Sequence, residues 1–196
     1  DQGVLIFPTH RLLCNLSDFS PEPFLDALGE WFEIETQTIA PTDAEARKEI
    51  RRVLKEKGRA RRTLALFAGG EIIYYLSLRD EKVMDRFFDP KTPKALRTLD
   101  VSILHQLIFE KVLGITAEAQ EQQSHLKYVK NFDEPFEQVL AGQAQAAFLM
   151  NATRMSEVRD VANAGEKMPQ KSTYFYPKLL TGLVFSKIVE GEKVTE

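Results

Sequence analysis

The sequence predicts an α/β or α+β fold in which helices pack on a mixed sheet. Three features carry that expectation. Two β-forming runs, Thr63 to Ala68 and Ile72 to Leu78, flank Gly69-Gly70, a pair able to take the positive φ angles of a tight antiparallel hairpin. Thr42-Asp43-Ala44-Glu45 is a capping-box pattern, and behind it Ile50, Val53, Leu54 and Lys57 define one face of a helix that Gly58 should end. From residue 126 to 165, apolar runs of strand length alternate with helical patterns closed by glycines.

In chain order, Val4-Leu5-Ile6-Phe7 is a continuous apolar run stopped by Pro8, read as a buried strand followed by a turn. Ser20-Pro21 resembles a helix N-cap with proline at the first helical position, and Phe24, Leu25, Leu28 and Trp31 recur behind it at helical spacing. Phe32 to Thr38 alternates in part and reads as a strand. After the hairpin come a short helix near Glu81 to Phe88 and a connection through Pro90 and Pro93. An apolar helix from Asp100 to Leu113, closed by Gly114, buries Val101, Leu104, Ile108 and Val112. The last third reads as strand Leu126 to Val129, helix Phe132 to Ala141, strand Ala144 to Met150 and helix Met155 to Ala164, with further strands at Tyr174 to Tyr176 and Leu183 to Phe185. No internal repeat or flexible linker divides the 196 residues, so the chain reads as one compact unit whose weakest internal boundary lies near 89–98.

Hydrophobic residues at 43% and charged residues at 28% exclude disordered, fibrous and membrane-spanning classes. A chain this long buries about 70% of its unfolded surface, enough for a core without staples. Cys14 is the only cysteine, which rules out an intramolecular disulfide and fits a cytoplasmic protein. The chain opens at Asp1-Gln2-Gly3 with neither methionine nor a signal-peptide pattern, and so reads as a piece of a longer protein.

The run from Arg47 to Arg62 is net +7 in a chain whose net charge is −3. It contains no interleaved aromatics, so nucleic acid is not the expected partner, and a solvated helix face or a contact with an acidic surface accounts for it. His10, His105 and His125 show no ligand spacing, and no metal is expected. The chain has no nucleophile elbow, Walker loop or dinucleotide-binding turn. Two polar segments remain. Thr9-His10-Arg11 lies just past a strand, and Lys171-Ser172-Thr173 offers an ammonium and two hydroxyls, so that together they could hold a phosphate or carboxylate. An exposed turn with Arg11 pairing to a local acid stays open for the first, and a strand start whose aromatics fill the core stays open for the second.

Phe7-Pro8-Thr9-His10-Arg11-Leu12, Leu99-Asp100-Val101-Ser102-Ile103-Leu104-His105, and Met168 to Lys178 followed by Leu179-Leu180-Thr181-Gly182-Leu183-Val184 fall in the order seen in a prokaryotic family. Over essentially its whole length the chain resembles the C-terminal half of the family numbered ten-fifteen among the domains of unknown function. The resemblance implies a preceding half with an Asp-Gly-His-His-Arg segment, similar to the nucleotide-handling motif of ParB-like and serine-kinase-like proteins. That missing N-terminal half is then the expected partner, and a nucleotide is the cofactor implied for the intact protein. Two functions stay open. The chain could contribute an anion site, at Thr9, His10, Arg11, Lys171, Ser172 and Thr173, to a nucleotide-dependent enzyme such as a small-molecule kinase, with the fragment inactive alone. It could instead be a noncatalytic module that packs on the missing half.

Overall fold

The computed structural model describes residues 5–177. Strands β1 (Leu5–Phe7), β2 (His10–Leu13), β3 (Phe32–Thr38), β4 (Thr63–Phe67), β5 (Ile72–Leu78), β6 (Leu126–Val129), β7 (Ala146–Leu149) and β8 (Tyr174–Tyr176) form two sheets. The larger has six strands in the order β3-β5-β4-β7-β2-β6, and every pairing in it is antiparallel. The expected hairpin joins β4 to β5, with Gly69 at φ 91° and Gly70 at φ 68°, a region open to glycine.

The sheet is assembled twice over in the same way. β3 and β4 are joined through helix α2 (Ala44–Ala60) but are separated by β5, which runs antiparallel to both. β6 and β7 are joined through helix α6 (Glu134–Leu140) but are separated by β2. The two halves meet where β4 pairs with β7. The inserted strand follows its unit in one half and precedes it in the other, so no repeat shows in the sequence.

Helices cover both faces. On one face, Ile50 and Leu54 of α2 and Phe136 and Val139 of α6 pack on Leu12, Ala65, Phe67, Ile73 and Leu149. The other face takes helix α1 (Pro21–Leu28) and the π-helical stretch Ile103–Val112, whose Leu104, Ile108 and Phe109 pack on Leu13, Leu64, Leu66 and Phe148. Phe148 meets Phe24 and Phe109 edge-on, with ring centroids 6.1 and 5.2 Å apart. β4 lies mid-sheet and is buried at all five positions, which explains its unbroken apolar run. Helix α7 (Met155–Asn163) meets the short helices α3 (Lys94–Arg97) and α4 (Asp100–Ser102) through Val161, Leu99 and Val101.

Several elements differ from the sequence pattern for physical reasons. The run ending at Phe7 is not a core strand. β1 pairs with β8 in a separate two-stranded sheet, and Leu5 and Phe7 remain 56% and 42% exposed. Val4, Lys178 and the run from Leu183 to Phe185 lie outside the described residues. The N-cap of α2 is Asp43, whose Oδ1 accepts from the Glu45 N–H at 3.1 Å. The segment after Asp100 turns from α-helix to π-helix, with the Leu113 N–H reaching back five residues to the Ile108 carbonyl. A helix α5 (Ala117–Glu121) follows, and its Gln120 donates to the Ile115 carbonyl at 2.9 Å and the His105 carbonyl at 3.3 Å. The short helix after β5 is a 3-10 turn, Glu81–Arg86.

Gly58 does not end α2, which continues to Ala60. A Cβ at Gly58 would lie 2.2 Å from Nδ2 of Asn151, whose amide donates to the carbonyls of Leu54 and Thr63 at 3.1 and 3.4 Å. This glycine exists for close approach. Alanine in an exposed helix interior stabilises by about 1 kcal/mol over glycine. Gly58→Ala is expected instead to destabilise by about 1 kcal/mol, because the Asn151 amide must leave its two carbonyls. Urea denaturation of Gly58→Ala, Asn151→Ala and the double variant checks this, and the glycine cost should vanish once Asn151 is removed.

Candidate functional site

Because neighbouring strands run antiparallel, the starts of β2 and β4 and the ends of β6 and β7 meet at one end of the sheet. A cavity of about 360 Å³ opens there, between α2 and the segments that follow β6 and β7. His10 forms part of its wall and is fully buried. Its Nδ1 accepts from the Met150 N–H at 3.1 Å, whereas its Nε2 is buried without a hydrogen-bond partner among the described residues. The imidazole stands edge-on to Phe132 at 5.3 Å, and the Arg51 guanidinium lies over the same ring at 4.5 Å. Burial, reinforced by Arg11 and Arg51, lowers the His10 pKa to about 3, so the ring is neutral at physiological pH.

The charges of α2 are sorted by face. Arg51, Lys55 and Arg59 stand four residues apart and line the cavity as one stripe. None of them makes a salt bridge among the described residues, nor do Lys130 and Arg154, which also line it. The other cations of the basic run are paired. Lys48 meets Glu45, Arg52 meets Glu49 and Glu56, Lys57 meets Glu35 and Arg61 meets Glu33, each at 2.6 Å. Arg47 donates to the Pro41 carbonyl at 2.7 Å and to Glu137 at 3.3 Å, tying α2 to α6.

Among the described residues, the carboxylates of the cavity wall are both engaged by Arg62, which pairs with Glu157, with Asp100 at 3.5 Å and, outside the cavity, with Glu81 at 3.3 Å. Burial pushes the Asp100 carboxyl up to about 6, against the pull of Arg62 and with the push of Glu157. Lys130 places its ammonium 3.8 Å from the Tyr174 ring centroid, and Arg154 donates to the Gly58 carbonyl. No three His, Cys, Asp or Glu side chains among the described residues converge to hold a metal.

Of the six residues singled out from sequence, His10 alone lines this cavity. Thr9, His10 and Arg11 are buried rather than forming a surface turn. Strand alternation sends Arg11 to the opposite face from His10, where its guanidinium stacks 5.5 Å from the Tyr128 ring. Arg11 donates to the carbonyls of Thr9 and Lys171, the latter at 3.2 Å, and burial lowers its pKa to about 10. The Ser172 hydroxyl donates to the Pro169 carbonyl at 2.6 Å, and the Ser172 carbonyl accepts from Thr153 at 2.8 Å. Lys171 is exposed, with φ 57°, and Thr173 is half-buried. Arg11 and the 171–173 turn are thus brought together through backbone carbonyls. Arg51, Lys55, Arg59, Lys130 and Arg154 were not singled out as site residues. One signal was available: Arg51 and Lys55 have no acidic residue three or four positions away, unlike Lys48 and Arg52.

His10 and His105 are both held neutral, each lowered to about 3 chiefly by burial. Each therefore contributes stability that is present above pH 6.5 and lost as pH falls, because only the unfolded imidazole takes up a proton in that range. Between pH 6.5 and about 5 each histidine should remove about 2 kcal/mol. Asp100 opposes this, since its raised pKa makes stability rise as pH falls below 6. Denaturant unfolding at both pH values should show His105→Phe losing about 2 kcal/mol less than the parent chain over this interval.

No curated protein matches the chain. Among solved structures, it is similar to a free serine kinase in complex with AMP, at 16% identity and TM-score 0.43, covering 89% of this chain and 55% of that one. A mutant of a free serine kinase in complex with ADP is similar at 14% identity and TM-score 0.43, with the same coverage. A conserved hypothetical protein from Pyrococcus furiosus is similar at 15% identity and TM-score 0.46, covering 89% of this chain and 57% of that one. The chain thus spans little more than half the length of the solved structures it matches. A family model described as Protein of unknown function (DUF1015) matches residues 1–102, and the chain belongs to that family.

Proposed function

We propose that the chain supplies the phosphate-binding wall of a nucleotide-dependent enzyme of the small-molecule kinase type. The observation that carries this is the unpaired stripe Arg51, Lys55 and Arg59, facing Lys130, Arg154 and the buried His10 across one cavity. Like charges four residues apart on a helix destabilise it by about 0.2–0.5 kcal/mol per pair. The neighbouring cations of α2 all have carboxylate partners, so the stripe is the part of the helix left for an external anion. Several cations converging on one cavity suit a di- or triphosphate better than a single carboxylate.

Phosphoryl transfer needs charge neutralisation around the phosphates and a group that takes the proton of the attacking hydroxyl. Asp100, on the same cavity with its carboxyl raised to about 6, suits the second task, since Arg62 is held more closely by Glu157 than by Asp100. Thr9, Arg11, Lys171, Ser172 and Thr173 would support this wall from outside the cavity, since Arg11 and Thr153 hold the 171–173 turn beside the segment that carries Asn151 and Arg154. One observation favours a second role. Leu5, Phe7 and Tyr176 expose an apolar patch on the two-stranded sheet, a surface on which another part of the polypeptide could pack.

Calorimetric titration with ATP, ADP and inorganic pyrophosphate tests the site. Arg51→Ala and Lys55→Ala should each weaken pyrophosphate binding by about tenfold, the loss of one charge-assisted hydrogen bond. Arg52→Ala, on the same helix but already paired, should change it by less than about twofold. Equal effects from Arg51→Ala and Arg52→Ala, or no binding by the parent chain, would overturn the proposal.

A further inference from the structure

A histidine beside an anion site is ordinarily assigned as a cation or as a proton carrier. The hydrogen bonding of His10 points elsewhere. The Met150 N–H donates to Nδ1, so that nitrogen carries the lone pair and the ring proton sits on Nε2. Met150 follows β7, whose pairing with β2 sets the distance, so the tautomer is fixed by the sheet itself. Nε2 is buried without a partner among the described residues, and the residue lines the cavity. A buried N–H with nothing to donate to is costly, and such groups in native proteins call for a missing acceptor.

We infer that His10 gives the bound anion a neutral hydrogen-bond donor, its Nε2–H, and so selects an acceptor oxygen without adding charge. This rests on the cavity being the anion site. The charged groups around the ring support it. Arg51, Lys55 and Arg59 from α2, Lys130 after β6 and Arg154 after β7 are all cationic. The carboxylates Asp100 and Glu157 are engaged by Arg62, and Arg11 adds its charge from across the strand. Nothing there would stabilise an imidazolium, and the lowered pKa agrees. With Nδ1 occupied and Nε2 protonated, the ring is also unsuited to attack a phosphoryl group.

The test is long-range proton–nitrogen NMR on chain labelled at its three histidines, assigned with His10→Gln, with and without inorganic pyrophosphate. The His10 ring is expected to stay in the Nε2–H form from pH 5.5 to 8, and its Nε2 proton should shift when pyrophosphate is added. In parallel calorimetry, His10→Gln, which keeps a neutral donor near the same place, should bind within about threefold of the parent chain. His10→Phe, which keeps the ring shape but no donor, should bind about tenfold more weakly at every pH. A ring that titrates near pH 6.5, a Nδ1–H form, or a loss for His10→Phe that grows as pH falls would overturn the inference. Pyrophosphate that binds while the Nε2 proton stays unmoved would overturn it too, yet leave the cavity as the anion site. If pyrophosphate fails to bind the parent chain, the anion site itself is wrong.

Discussion

A strand has a period of two, so the four residues of β2, buried on both sides, must send neighbours to opposite faces of the sheet. β6 and β7 flank β2 and satisfy its backbone. Leu12 and Leu13 divide between the two core layers, and they carry His10 and Arg11 with them. The two polar residues, adjacent in sequence, therefore do different work. His10 meets the cavity beneath α2, while Arg11 is a buried cation that grips the carbonyls of Thr9 and Lys171. A slip of one residue in this register would exchange them.

What lets α2 hold an unpaired cationic stripe is a difference in magnitude. Ile50 and Leu54 are essentially fully buried, and each contributes about 1.5–3 kcal/mol by leaving water. Against that, like-charge repulsion along Arg51, Lys55 and Arg59 costs only tenths of a kcal/mol, partly offset by the exposed pairs of Lys48 and Arg52. Helix position is set by the apolar face, so the polar face is free to serve the cavity. Gly58 then brings the helix close enough for Asn151 to bond its backbone, and the segment after β7 is held against α2.

Elements governed by local chemistry were legible in the sequence: the hairpin at Gly69-Gly70, the length of β3, the strand Leu126–Val129, and α7 to within a residue of its end. Where a residue's role is tertiary, the pattern misled. Gly58 reads as a helix stop because nothing nearby announces Asn151, ninety-odd residues later. The apolar run at Leu5 to Phe7 reads as core because its partner, Tyr174–Tyr176, lies at the far end of the chain. The π-helical turn is invisible to a periodicity tuned to 3.6 residues. At the site, the residue types of Thr9 to Arg11 stand out in the sequence, but their burial and the face each takes depend on strands at 126 and 146. The basic run reads as a solvated face or a contact with an acidic surface, and Arg51, Lys55 and Arg59 are indeed exposed; what the sequence does not show is that these three line one cavity while their neighbours on α2 are paired.

The central claim is that the cavity between α2 and His10 is where this protein takes an anion. A crystal of the chain soaked in tungstate, a heavy tetrahedral stand-in for phosphate, locates anions directly by anomalous scattering. A tungstate peak is expected within hydrogen-bond reach of the Arg51 guanidinium and the His10 Nε2. A peak at Lys171-Ser172-Thr173 with the α2 cavity empty would contradict it.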